Sequence, residues 1–334
     1  MKIVTADFLE RTRAPGSRFQ SDYLAYERGE ITRRELIARL PHVAMIGDSV
    51  CTSIYVSTRW PTLWRARSCR DRNWFLNVDP GTPIESISRR LEKITPIVAT
   101  HHGGIGAMID SDGQRLWWTR RIVGTQNLSG QINRVASAKR FPNLVLIAIG
   151  HNNVDWAWRS SAAELQNPGS RLQRQRDAFI ELFARRLQPL IEHAHHQEHR
   201  VAIIVFGVVN FESYFRGRAE AEQLRATNSR LYPHLETTYR YLTSFRPAYR
   251  QNVIRLSAMV NRDLREMIDK FNRELIGAGN VQLRYSDALA TADLSRAELL
   301  HPVDAWHPSI KGHNVLAEAA FGDLIPSLKF LGIL

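Results

Sequence analysis

The stretch VAMIGDSVCTSI, residues 43–54, decides the fold. It opens as a short apolar run, breaks at Gly47, and presents Asp48 and Ser49 ahead of a segment that can be helical. A run that is apolar at successive positions, not at alternate ones, is expected of a strand covered on both faces. The reading is a buried strand over residues 42–46, a turn at Gly47 and a helix starting near Ser49. Ser49 is then either a helix cap or a hydroxyl held at a sheet edge for chemistry.

Working outward, similar runs recur at residues 96–100, 144–149, 201–206 and 281–285. Helical patterns lie between them. Residues 171–193 place Leu172, Phe179, Leu182, Phe183 and Leu187 on one side, and residues 256–276 carry a 3.6-residue stripe through Val260, Leu264 and Ile268, read as core. A last helix is expected over about 309–321. Strands alternating with helices predict an α/β fold with a parallel, doubly wound sheet. Such sheets bind ligands beyond the carboxyl ends of their strands. Three polar clusters, at residues 47–49, 101–106 and 150–153, follow the first three strands and would crowd one rim.

Residues 1–40 read as a helical extension, in which TRRELIARL has helical spacing and ends before Pro41. The remainder, 41–334, reads as one domain with aromatic-rich insertions at about 52–94 and 210–251. Their aromatics either wall a cleft, as lids, or form small satellite cores.

Composition narrows the classes. Of 334 residues, 44% are apolar and 23% charged, which is ordinary for a globular chain and excludes disorder. No apolar run approaches the roughly 20 residues of a membrane span. The N-terminus has charges but no apolar segment of a signal peptide, so a cytoplasmic location is expected. Two cysteines, Cys51 and Cys69, make no disulfide framework. The net charge of +12 favours anionic partners or surfaces. Of 45 basic residues, 39 are arginine, which means either phosphate recognition or a compositional bias. They are scattered, not blocked, and this argues against a nucleic-acid partner. Oligomeric state is not legible.

Three further stretches carry chemistry. In HPVDAWHPSIKGHNVLAEA, residues 301–319, Asp304 and His307 are three apart, as on one face of a helical turn. A carboxylate there can orient an imidazole that takes a hydroxyl proton. Glu298 and His301 have the same spacing, and spacing alone does not choose. NLVLIAIGHNNVDW, residues 143–156, ends a strand in Gly150, His151, Asn152 and Asn153. An amide there can donate into a cleft or simply close the strand. PIVATHHGGIGAMI, residues 96–109, ends a strand in small residues whose backbone N–H groups can approach a reacting oxygen. Its Gly104-x-Gly106 is not a dinucleotide fingerprint, because the third small position falls on Ile109.

Taken in order, these blocks resemble the SGNH (GDSL-type) hydrolase superfamily. Its pattern reads here as Gly47-Asp48-Ser49, Gly106 within GIGA, Gly150-His151-Asn152-Asn153, and Asp304-Ala305-Trp306-His307-Pro308, spanning residues 43–320. The Pro308-Ser309 pair, with Gly312 and His313 after it, favours Asp304 and His307 over Glu298 and His301. Asn153 stands where the family has Asp, and Val50 where Leu or Ile is common. For the second glycine Gly106 leads and Gly104 is the runner-up.

The resemblance implies a three-layer α/β/α sandwich with a five-stranded, mostly parallel, flavodoxin-like sheet. It implies ester hydrolysis by an acyl-enzyme route: Ser49 as nucleophile, His307 as base, and Asp304 orienting His307. The oxyanion would be held by the N–H groups of Ser49 and Gly106 and the Asn152 amide. No cofactor and no metal are expected. The substrate would be a small-molecule, lipid or carbohydrate ester. One alternative is a lipolytic or lysophospholipase-type acyl hydrolase at anionic lipid; another is a non-catalytic binder of anionic polymer on the same fold. No Gly-x-Ser-x-Gly elbow is present.

Remaining candidates are weaker. His101, His102, His151, Trp156 and Trp306 are placed as possible cleft residues, and Trp158 with them. His195 and His199 either share a helical face fit for a metal or are exposed near a helix end. Cys51 reads as a small buried filler.

Overall fold

The structure, a computed structural model, describes residues 2–4, 8–13, 17–52, 70–110, 127–156, 168–235, 247–275 and 279–334. Among the described residues six strands form one sheet: β1 (Lys2–Val4), β2 (His42–Gly47), β3 (Val98–His101), β4 (Leu144–Ala148), β5 (Val201–Phe206) and β6 (Val281–Ser286). Their order is β1-β3-β2-β4-β5-β6. All pairs are parallel except β1 with β3. The five parallel strands match the five apolar runs, and their order is the flavodoxin-like one. Strands β2 to β5 are buried at every position, which is why they read as unbroken apolar runs. Only β6 alternates, as suits a strand at the far edge.

Helices cover both faces. On one, Leu128–Ala136, Pro168–His195 and Pro247–Glu274 pack in series; on the other, Ile87–Glu92 packs against Ile310–Phe330. The two long helices of the first layer begin earlier than the sequence stripes, at Pro168 and Pro247, and the last runs on to Phe330. Pro326 lies inside it without ending it.

The N-terminal segment differs from expectation in one respect. It holds three short helices, but Lys2–Val4 also adds an antiparallel edge strand to β3. Three residues are too few for a periodicity signal, yet they occupy the open hydrogen-bonding edge of β3. Thr32 caps the helix Arg33–Arg39 in a capping box with Glu35. Phe19, Tyr23, Leu36, Leu40 and Val98 form a small core beneath it.

The described insertion aromatics are neither lids nor satellite cores. Trp74, Phe75, Phe211, Tyr214, Phe215, Tyr232 and Tyr249 all belong to the main core. Trp74 is fully buried, donates its indole N–H to Val50 O at 3.1 Å and meets Phe206 edge-on at 5.6 Å. Tyr55, Trp60, Trp64, Tyr239, Tyr241 and Phe245 lie outside the described residues. Among the described residues, no helix is long and apolar enough to cross a membrane.

Candidate active site

β2 is flanked by β3 and β4, so its carboxyl end is where the winding reverses. Gly47 ends the strand, Asp48 follows, and Ser49 opens the four-residue helix Ser49–Thr52. Gln131 clamps the turn: its Oε1 accepts the Gly47 N–H at 2.8 Å, and its Nε2 donates to Gly47 O at 2.9 Å. A Cβ on Gly47 would lie 2.6 Å from Cys51 Sγ and 2.7 Å from Ala148 O, so a side chain has no room there. Ser49 is buried, at 5% exposure. Among the described residues its Oγ makes no hydrogen bond, to His307 or otherwise. Catalytic contacts in ligand-free sites commonly close only around substrate.

The three strand-end clusters are bonded to one another. Gly104 gives its N–H to Gly47 O at 3.0 Å, which removes it as a donor to a reacting oxygen. Gly106, at φ 68°, takes a left-handed backbone that glycine adopts freely. Asn152 donates from Nδ2 to Ala107 O at 3.0 Å, leaving the second N–H of its amide. Asn153 Oδ1 accepts the Ile109 N–H at 3.0 Å. The amide that replaces the resemblance's Asp therefore ties the third cluster to the second.

Asp304 and His307 lie in the loop before the last helix. His307 Nδ1 and Asp304 Oδ2 are 2.7 Å apart, and Asp304 Oδ1 accepts the N–H groups of Trp306 at 3.0 Å and His307 at 3.2 Å. A carboxylate only accepts, so Nδ1 carries the proton and Nε2 is left as the basic nitrogen. Burial by itself would raise the Asp304 carboxyl; the charge and hydrogen bond of His307, then His301 and the Trp306 N–H, outweigh it and leave its pKa lowered.

The local geometry is not the helical turn expected from the spacing. Residues 302–307 are turns and bends, and Ala305 sits at φ 48°, which reverses the chain tightly enough to aim two N–H groups at one carboxylate oxygen. The loop is held from outside by Tyr232 N–H to Pro302 O and His234 N–H to Val303 O, both 2.9 Å. The buried Arg218 also reaches Asp304 O at 3.3 Å. Glu298 takes no such part. It is exposed and paired with Lys311 at 2.6 Å, which lowers its pKa.

Tyr214 relates the two ends of the chain. Its ring lies 5.4 Å from that of Trp306, and burial, then the charges of Asp304 and Asp48, push its phenol upward. Both carboxylates thus act on one buried side chain.

A second acid–imidazole pair escaped the sequence reading. His151 Nδ1 and Asp48 Oδ2 are 2.7 Å apart, both side chains fully enclosed. The partners are 103 residues apart, so no spacing rule reveals them. Gln131 escaped for the same reason.

Several cleft assignments need correction. His101 is buried, with Nε2 on Cys51 O at 2.9 Å and Nδ1 accepting the Gly103 N–H at 3.1 Å; burial lowers its pKa to about 3. His151 is enclosed by its pairing with Asp48. Trp306 is buried against Phe211 and Tyr214. All three side chains are buried. His102 is partly exposed, its Nε2 3.3 Å from Thr100 Oγ1, and burial lowers its pKa to about 4. The Trp156 side chain and Trp158 lie outside the described residues.

His199 does not share a helical face with His195, because the helix ends at His195; its Nε2 bonds Phe141 O at 3.1 Å. Among the described residues no cluster of three or more metal-binding side chains forms. Cys51 is a buried free thiol, and burial followed by the Asp48 charge raises its pKa.

No curated protein matches the sequence. Among solved structures, a phospholipase A1 from Streptomyces albidoflavus NA297 is 12% identical, covering 85% of this chain and 98% of its own at a TM-score of 0.46. A lipase from a goat rumen metagenome is 11% identical, covering 84% and 96% at 0.45. A carbohydrate acetylesterase family member from Sinorhizobium meliloti is 10% identical, covering 88% and 100% at 0.41. The profile of one family, GDSL-like lipase/acylhydrolase, matches residues 43–320, from the first buried strand to the helix after His307. That span takes in every cluster on the rim: the chain belongs to the GDSL-like lipase/acylhydrolase family, and its chemistry is the hydrolysis of esters.

Proposed function

We propose that the chain is a serine esterase in which Ser49, His307 and Asp304 act as a relay. Ser49 Oγ attacks the ester carbonyl while His307 Nε2 takes its proton. His307 returns that proton to the leaving alcohol, and water then releases the acyl group by the same route in reverse. Asp304 holds the imidazole in the required tautomer and stabilises the imidazolium. The Ser49 and Gly106 N–H groups and the Asn152 amide stabilise the tetrahedral oxyanion. Each such donor is worth about 3–4 kcal/mol of transition-state stabilisation.

The observation that carries this reading is the buried Asp304–His307 contact of 2.7 Å, its carboxylate fixed by two further N–H groups. A buried carboxylate held on an imidazole and on two backbone N–H groups has an orienting task, since an isolated surface pair gains little from such precision. The test is to trap the intermediate. Acid quench during turnover of p-nitrophenyl acetate should leave the acetyl group on the peptide holding Ser49. Acetyl recovered on a different side chain refutes the assignment. A chain-length series of p-nitrophenyl esters then separates an acetyl-specific site from a lipolytic one.

A further inference from the structure

Among the described residues there are two enclosed Asp–His pairs of equal length, and only one is used above. We propose that the second, Asp48–His151, is a positioning pair that sets the separation between the nucleophile and the oxyanion amide. The inference rests on the serine-esterase reading and assigns a role to residues it leaves idle.

The argument begins with adjacency. Asp48 directly precedes Ser49, and His151 directly precedes Asn152. One bond of 2.7 Å between their side chains therefore joins the residue beside the attacking hydroxyl to the residue beside the stabilising amide. The other ties between these two loops go back to the strand end. Asp48 N–H and Cys51 Sγ both reach Ala148 O, at 3.3 Å each. They fix where β2 finishes relative to β4, while the side-chain pair fixes what lies beyond.

Burial gives the bond its rigidity. Asp48 is 0% exposed and the His151 side chain 2%. A carboxylate removed from water must be fully hydrogen-bonded or it is strongly destabilising. Asp48 meets this with the imidazole on Oδ2 and the Val50 N–H, 3.0 Å away, on Oδ1. The Val50 contact shapes the turn around Ser49 itself, so movement of the carboxylate moves the serine. Charge-assisted bonds of this length are the strong ones.

Geometry separates this pair from the basic one. His151 Nε2 is buried and has no partner among the described residues. A general base must present that nitrogen to a hydroxyl, and this one is sealed. Its Nδ1 contact with Asp48 is the ring's one polar contact among the described residues. The pair also differs from Gln131, which clamps the backbone of Gly47.

The test uses full-length protein and a phosphonate ester that labels the nucleophilic serine, with the labelled residue located by peptide mass. His151→Leu keeps an apolar body without a donor. It should slow Ser49 labelling and lower kcat by about tenfold or more, with KM within about threefold, since misplacement by about 1 Å can cost 10²-fold. His151→Gln, whose amide can still donate to Asp48, should recover most of that loss. Asp48→Asn combined with His151→Leu should cost little beyond either change alone, because both break one contact. Wild-type labelling rate in a folded His151→Leu variant overturns the proposal. So does a Gln variant as impaired as Leu at equal melting temperature. If the wild-type label lands away from Ser49, the esterase assignment has failed instead, and the two failures are told apart by where the mass appears.

Discussion

At the scale of single residues, the site turns on which of two similar pairs is chemically accessible. Both Asp304–His307 and Asp48–His151 are buried contacts of 2.7 Å, and the second nitrogen of His151 is sealed without a partner among the described residues. Removing the charge from Asp304 tests its orienting role. Asp304→Asn leaves the volume unchanged but favours the wrong imidazole tautomer, and kcat should fall by about 10⁴-fold. Turnover within a few-fold of wild type, measured on a short p-nitrophenyl ester, would remove Asp304 from the relay. Legibility at this scale followed locality. Asp304 and His307 lie three residues apart, so spacing offered the pair, but Glu298 and His301 have the same spacing and only the family resemblance of the flanking residues chose between them. Asp48 with His151, and Gln131 with Gly47, were not readable, since sequence spacing carries no record of contacts made only when strands assemble.

At the scale of elements, the sequence was most readable where burial was most complete. Strands β2 to β5 were found because both faces are covered, and an apolar run is the only pattern such a strand can have. β1 was missed because three residues hold no period. Tertiary packing also overrode the reading of the aromatics, drawing Trp74 and Tyr214 into the main core. The turn after β2 carries a prediction of its own. Gly47→Ala would place a methyl group 2.6 Å from a buried sulfur and 2.7 Å from a backbone carbonyl. Neither neighbour can withdraw easily, so the strand end must shift, at a cost of about 1–3 kcal/mol. Denaturant unfolding should show that loss, and kcat should fall as Ser49 is displaced. Unchanged stability would mean that the turn is looser than described.

For the whole molecule, the sheet's role is to bring distant loops to one rim, and its interior sets how the fold responds to acid. His101 and His313 are both fully buried, and burial holds each near a pKa of about 3. Both ring nitrogens of His313 lack partners among the described residues. Unfolded, such rings titrate near 6.5, so the unfolded chain binds protons that the folded one refuses. Their contribution is complete above that value and is lost as pH falls towards 3. Two such rings predict a slope of about 3 kcal/mol per pH unit near pH 5. The lowered Asp304 carboxyl adds a loss in the same sense at still lower pH. Denaturant titrations across this range check the slope, and flat stability between about pH 7 and 5 would show that the buried rings are protonated or solvated.

The central claim is that the hydroxyl of Ser49, delivered by the first buried strand, is the atom acylated. Its most direct measurement is turnover of p-nitrophenyl acetate by Ser49→Ala, beside a melting curve. The account predicts wild-type melting within a few degrees and a rate lowered by about 10³-fold or more. A folded Ser49→Ala protein that turns over at the wild-type rate would contradict it.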